Sequence, residues 1–371
     1  MKKLFLASVV FLTAFVSCKV DFSPNAEWKD VPVVWCLLDQ FDDTTWVRVQ
    51  RCYLGSDNLY NYTQISDSIY YGQDEITVSI EKWRGKLGSD YSLTVEGDTP
   101  VDTKVFTYTV RDGKDTGLFA GGAQPVYYAP TFGWLNPDYV YKLVVKNNNT
   151  GETVATATTQ LVGKLIDKPT LELSALDKPN PLVPSDREFR FSGGECDMEW
   201  KTLMRARRYE PVVRFYYYHG SFNANNDFVY DKTKKYYVDV KVGAVTQSGN
   251  SSKIETKVGE SSYFANIKNA IIESGDTEQK GFCDTVDILM NVCNEDLNAY
   301  IKSTEPVNTI VQNRLAYSNI NDGKGVGIFA ARRTPHELSD GSKSLIFTLP
   351  TPNQTGSGTY HGHLQALGVG F

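Results

Sequence analysis

Positive charge is not in excess over the chain as a whole. Its 38 lysines and arginines stand against 44 aspartates and glutamates, a formal net charge of −6, and the basic residues are not pooled. Nucleic-acid binders carry a basic stripe, so that class is excluded. Methionine is scarce as well, with 4 residues against 22 tyrosines and 18 phenylalanines. A Tyr-rich, Met-poor composition suits β-structure and sheets with a solvent-facing side. After Val16 no run reaches the roughly 20 apolar residues a helix needs to cross a bilayer. The six cysteines fit no common zinc spacing. Gly323-Lys-Gly-Val-Gly327 lacks the spacing of a phosphate loop and is followed by strand-like residues, which points to close backbone packing. Ser192-Gly-Gly194 does not make a nucleophile elbow. His361 and His363 would share one face of an extended segment but have no acidic partner nearby in sequence. No metal or other cofactor is expected.

The beginning of the chain is more informative. Met1-Lys2-Lys3 is positive, and Leu4 to Val16 carries no charge. This is the pattern of a secretory signal peptide. It ends at Phe15-Val16-Ser17-Cys18, and a small residue directly before a cysteine resembles the lipobox of bacterial lipoproteins. Phe15 stands where that box usually has leucine. The resemblance implies cleavage before Cys18 and a diacylglycerol, with palmitate-type chains, on its thiol. One acyl chain holds a protein only reversibly, whereas two or three anchor it stably. Residues 1–17 are therefore expected to be a signal peptide and 18–29 a lipidated tether. A plain secreted protein, with Cys18 incidental, is the other reading.

Roughly 350 residues would remain, which favours two domains. Residues 30–162 hold many short strand-like runs, such as Val31–Leu38, Trp46–Tyr53, Glu75–Trp83 and Tyr139–Lys146, separated by turn clusters. That rhythm predicts a β-sandwich. Leu135, Pro137 and Tyr141 resemble the tyrosine corner of immunoglobulin and fibronectin type III domains, in which a tyrosine returns its hydroxyl to upstream backbone. Four prolines in Lys164–Ser185 mark residues 163–185 as a linker. Residues 186–371 read as a β-rich domain with one or two short helices. One helix would be capped by Ser261 or Ser262 and closed by Gly275, with Phe264, Ile267 and Ile271 on one face. Another would start at Asn294. Cys36 and Cys52 lie on neighbouring runs and could form a disulfide across a hairpin. Cys283 and Cys293 flank another run. Buried thiols are the alternative, and the odd number left after Cys18 leaves at least one unbridged.

Three segments carry a wider resemblance. They are Pro32-Val-Val-Trp-Cys-Leu-Leu38 with Val47-Arg48-Val49, then Tyr317-Ser-Asn-Ile320, then Gly323-Lys-Gly325-Val-Gly327-Ile-Phe329. Together they resemble a large family of Bacteroidota cell-envelope lipoproteins classed as a domain of unknown function. The family implies an outer-membrane lipoprotein, on the periplasmic or the cell-surface face, often beside a TonB-dependent transporter. It assigns no catalytic residues.

A non-catalytic binding or assembly role follows as the expectation, with the membrane engaged through Cys18 and an envelope protein or a glycan as partner. The alternatives are a hydrolase of polysaccharide on a β-scaffold and an adhesin or fibre subunit. Asp284, Asp287, Glu295 and Asp296 are candidates for a carboxylate pair. Arg205, Arg207, Arg208 and Arg214, beside Tyr209 and Tyr216 to Tyr218, are candidates for contact with a partner or an anionic glycan; a solvated sheet face is the plainer reading.

Overall fold

The computed structural model describes residues 31–52, 69–114, 122–163, 176–178, 189–191, 193–247, 253–305, 317–334, 345–348 and 367–369. The expected signal peptide, tether and lipid site at Cys18 lie outside these residues, as do His361 and His363. The described chain is mainly β, with two α-helices.

The first nine strands are β1 (Pro32–Leu38), β2 (Thr44–Arg51), β3 (Ile76–Leu87), β4 (Leu93–Glu96), β5 (Asp102–Val105), β6 (Thr107–Lys114), β7 (Gly122–Pro130), β8 (Tyr139–Asn147) and β9 (Thr153–Gln160). One sheet runs β1-β2-β7-β6 and the other β4-β3-β8-β9. This is the strand order of an immunoglobulin-like sandwich, with ABED facing CFG. Alternation places Val34, Cys36 and Leu38 of β1 and Val47 and Val49 of β2 inward, opposite Val78, Ile80, Leu143 and Val145. The tyrosine corner is present where the sequence places it. Tyr141 is fully buried at the start of β8, and its hydroxyl accepts from the Asn136 N–H at 2.7 Å and lies 3.1 Å from the Asn136 carbonyl. Leu135 is buried beside it, and Pro137 lies in the turn.

The remaining elements are β10 (Leu176–Lys178), β11 (Glu195–Lys201), β12 (Arg208–Phe222), β13 (Phe228–Tyr230), β14 (Tyr236–Lys241), β15 (Val245–Thr246), β16 (Lys253–Gly259), α1 (Glu260–Ser274), β17 (Lys280–Cys293), α2 (Glu295–Thr304), a 3₁₀ turn at Ile320–Gly323, β18 (Val326–Arg333) and β19 (Leu345–Thr348). β12 is paired along both edges, with β13, β14 and β15 on one side and β17 on the other. Helix α1 buries Tyr263, Phe264, Ile267 and Ile271. Gly275 closes it in the left-handed conformation, but its N-cap is Gly259, so Ser261 and Ser262 lie inside the first turn. Asn294 caps α2, accepting from the Leu297 N–H at 3.2 Å.

Two expectations need correction. The first is the division into 30–162 and 186–371. β18 pairs in parallel with β1, from Val33↔Val326 to Leu38↔Ala331, and its far end pairs antiparallel with β17 (Val292↔Arg333, Cys293↔Arg332), so the N-terminal layer continues through β18 and β17 to β12 as one sheet. Ile320, Phe329 and Ala331 are buried in the sandwich core. Gly327 (φ +111°) lies so close to β1 that a Cβ there would stand 1.9 Å from the Val34 carbonyl oxygen. Asn321, itself left-handed, donates to the Val154 carbonyl and accepts from the Thr156 N–H, covering the edge of β9. On the other face Trp35 meets Tyr300 of α2 edge-on at 5.4 Å, which is why β1 reads as apolar on both sides. Within the expected linker, Leu176–Lys178 pairs with β11 and belongs to the C-terminal half.

The second correction concerns the disulfide. Cys36 stands opposite Val47, whereas the Cys52 N–H bonds the Val31 carbonyl. The two thiols are five residues apart along the hairpin, about 17 Å, and a disulfide needs Cα atoms within about 7 Å. Cys36 and Cys52 are both thiols, as are Cys283 and Cys293. Burial pushes the Cys36 thiol far up, and those of Cys196 and Cys293 up to about 12.

Candidate functional site

The outward face of β12 is unusually aromatic. Alternation turns Tyr209, Val213, Phe215 and Tyr217 into the C-terminal core and leaves Arg214, Tyr216, Tyr218, Gly220 and Phe222 on the other side. Neighbouring strands add to the row. Tyr237 stands opposite Tyr216, with their rings 6.3 Å apart. Tyr230 lies 4.6 Å from Tyr218, Phe228 lies 5.6 Å from Tyr230, and Phe222 lies 5.4 Å from Phe228. Phe228 lies over Gly220 and Gly281, where a Cβ would come within 2.6 Å and 2.4 Å of its ring. These glycines let an aromatic ring lie flat on the sheet. Tyr237 is 54% exposed, Phe222 50% and Tyr230 37%.

Charge on this face is paired. Arg214 binds Asp239 through two bonds of 2.7 and 2.8 Å and lies 4.0 Å above the Tyr237 ring. Lys235 sits 3.6 Å above the Tyr216 ring, and the Tyr216 hydroxyl donates to Asp287 at 2.7 Å. Burial and the Asp287 carboxylate both push the Tyr216 phenol upward. Cys283 stands between Tyr218 (3.8 Å) and Thr285 (3.5 Å). Its partial burial raises the thiol, but hydrogen bonds from Thr285 and Tyr218 and the charge of Lys235 bring it below its ordinary value.

A cavity of about 550 Å³ opens where the two halves meet, lined by the Asp90–Ser92 turn, the end of β9, Arg205 to Arg207 and the first turn of α2. Arg205, Asn294 and Asp296 of its lining are committed to joining the halves. Arg205, left-handed at φ 61°, donates to the carbonyls of Leu161, Tyr91 and Pro137. Burial lowers its guanidinium to about 10. Asp296 accepts from Tyr317 and Thr159, each at 2.9 Å, and from Asn294. Burial raises this carboxyl against the lowering effect of those bonds.

The residues read as candidates in the sequence are thus dispersed. Asp287 is on the aromatic face, Glu295 pairs with Arg207 at 2.7 Å, and Asp296 is held at the junction. They do not assemble as a carboxylate pair, and the side chain of Asp284 is not among those described. The basic cluster is also dispersed: Arg205 binds backbone, Arg207 and Arg208 bind Glu295, Glu210 and Glu305, and Arg214 binds Asp239. In the loop between α1 and β17, Asp276 lies 2.7 Å from His219 Nε2, 3.0 Å from Lys280 Nζ and 3.2 Å from the Tyr217 hydroxyl. Among the described residues no group of three or more histidines, cysteines and carboxylates is arranged to hold a metal ion. Sequence reading missed Phe228 and Tyr230, and their signal was the aromatic-flanked hairpin Phe222–Tyr230. No protein-family model matches the chain, and no curated protein matches it.

Proposed function

We propose that this protein is a lipid-anchored, non-catalytic binding or assembly protein of the outer membrane, and that the aromatic face of β12, β13 and β14 is its contact surface. One observation carries this reading: aromatic rings gathered on one face of β12, β13 and β14, with Phe222, Tyr230 and Tyr237 exposed, on a central strand that has neighbours along both edges. Tyrosine and arginine are enriched where proteins bind, because a rigid amphipathic ring loses little entropy on contact. The signal-like opening, Ser17-Cys18 and the resemblance to Bacteroidota envelope lipoproteins support the anchor and a place beside a TonB-dependent transporter.

The test is purification from membranes after mild crosslinking, comparing wild type, Cys18→Ala and Tyr218→Ala/Tyr230→Ala. The expected result is a partner that co-purifies with wild type, release of the Cys18→Ala protein from the membrane, and loss of the partner from the double variant. A wild-type protein recovered off the membrane, or a partner held equally by the double variant, would overturn the reading.

A further inference from the structure

We infer that the aromatic face takes an uncharged polysaccharide chain; this rests on the binding reading above and names its ligand class. Three physical features point the same way.

The first is shape. Arg214 to Phe222 spans about 27 Å, and β14, β12 and β17 side by side about 14 Å. That area, under about 400 Å², is half of the roughly 800 Å² that each partner contributes to a stable protein–protein interface. A narrow strip many times longer than one ring suits a linear polymer. The second is surface chemistry. A pyranose presents C–H groups on its faces and hydroxyls at its rim. The exposed rings of Tyr230, Tyr237 and Phe222, with Tyr218 and Phe228 packed against Tyr230, match the former. Tyrosine hydroxyls and the Arg214 guanidinium, which spends two of its five N–H donors on Asp239, match the latter. The third is charge. Arg214 and Lys235 are balanced by Asp239 and Asp287, so the face does not select an ionic ligand. An extended peptide is disfavoured for a separate reason. Both edges of β12 are already hydrogen-bonded, so the backbone ladder that usually captures a peptide strand is not available there.

The inference is tested by affinity electrophoresis of the full mature chain through gels containing barley β-glucan, xyloglucan or galactomannan, with polygalacturonate as an acidic comparator. At least one neutral polymer should retard the wild type. Tyr218→Ala and Tyr230→Ala should each weaken that retardation roughly tenfold or more, the scale of a truncated aromatic anchor. Tyr218→Phe keeps the ring and should retain it, which separates loss of the platform from loss of fold. Retardation by polygalacturonate alone, by none of the neutral polymers, or equally in the alanine variants would overturn the inference. If no polymer binds while a crosslinked protein is lost from the double variant, the glycan falls and the binding reading stands.

Discussion

The core of the N-terminal sandwich takes Ile320, Phe329 and Ala331 from the far end of the chain, whereas among the described residues the C-terminal core takes only Val162 from before the proline-rich segment. The dependence is therefore unequal. A sandwich with complete immunoglobulin-like strand order still has β1 and β9 as edges, and here β18 covers the first and Asn321 of the preceding 3₁₀ turn bonds the second. In the C-terminal half β12 lies between β17 and the strands β13 to β15, in the same sheet that β18 joins to β1, and its outward face carries the exposed rings. One half spends its partner on closure; the other keeps a surface open.

The sharpest way to break this comparison is Gly327→Val. A side chain at φ +111°, against the Val34 carbonyl, should cost more than about 4 kcal/mol. Hydrogen exchange should then show lost protection in β1 and β9, with β12 and β17 still protected. Equal loss in both halves would mean the two cores unfold as one. Phe329→Ala, at a fully buried position, should lower stability by about 3–5 kcal/mol in denaturant titration, with the same uneven pattern. Tyr141→Phe leaves the Asn136 N–H without its acceptor and should cost about 1–3 kcal/mol, again on the sandwich side.

A smaller effect marks the C-terminal half alone. Burial raises the Asp276 carboxyl, but hydrogen bonds from His219 and Lys280 outweigh it and hold the group at about 2, below its ordinary 3.8. A lowered carboxylate stabilises fully above its unfolded value and loses that contribution as pH falls through the folded one. The stability difference between wild type and Asp276→Asn should thus be about 1 kcal/mol at pH 5, allowing for solvent screening, shrink as pH falls through the folded value, and lose its titrating part below it. Smallest of all, Tyr237→Ala, at an exposed position, should move the melting free energy by no more than about 0.5 kcal/mol.

The strands and their faces were largely legible in the sequence because alternation is local. Tyr141 could be placed from Leu135 and Pro137 because the corner is contained in seven residues. What was hidden is long-range. Val326–Arg333 reads as a strand, but nothing in its pattern names β1 as its neighbour, so a boundary placed at the prolines cannot show that the last part of the chain completes the first sheet. Cys36 and Cys52 were placed on the correct hairpin, yet their separation depends on register, which the turn after Leu38 sets. The arginines around Arg205 looked like a patch because Glu295, Glu305 and Asp239 lie far away in sequence. The aromatic face was half legible: Tyr216 to Tyr218 announced it, but Phe228 needed Gly220 and Gly281 beneath it.

The parallel pairing of β1 with β18 also sets a clock. Val33 and Val326 are joined in the finished sheet, although the ribosome makes one long before the other. At about 5–20 residues per second the covering strand emerges roughly 15–60 s after the strand it covers. Until β18 arrives, the backbone of β1 on that side is an unpaired edge, open to pairing with a second copy of the chain.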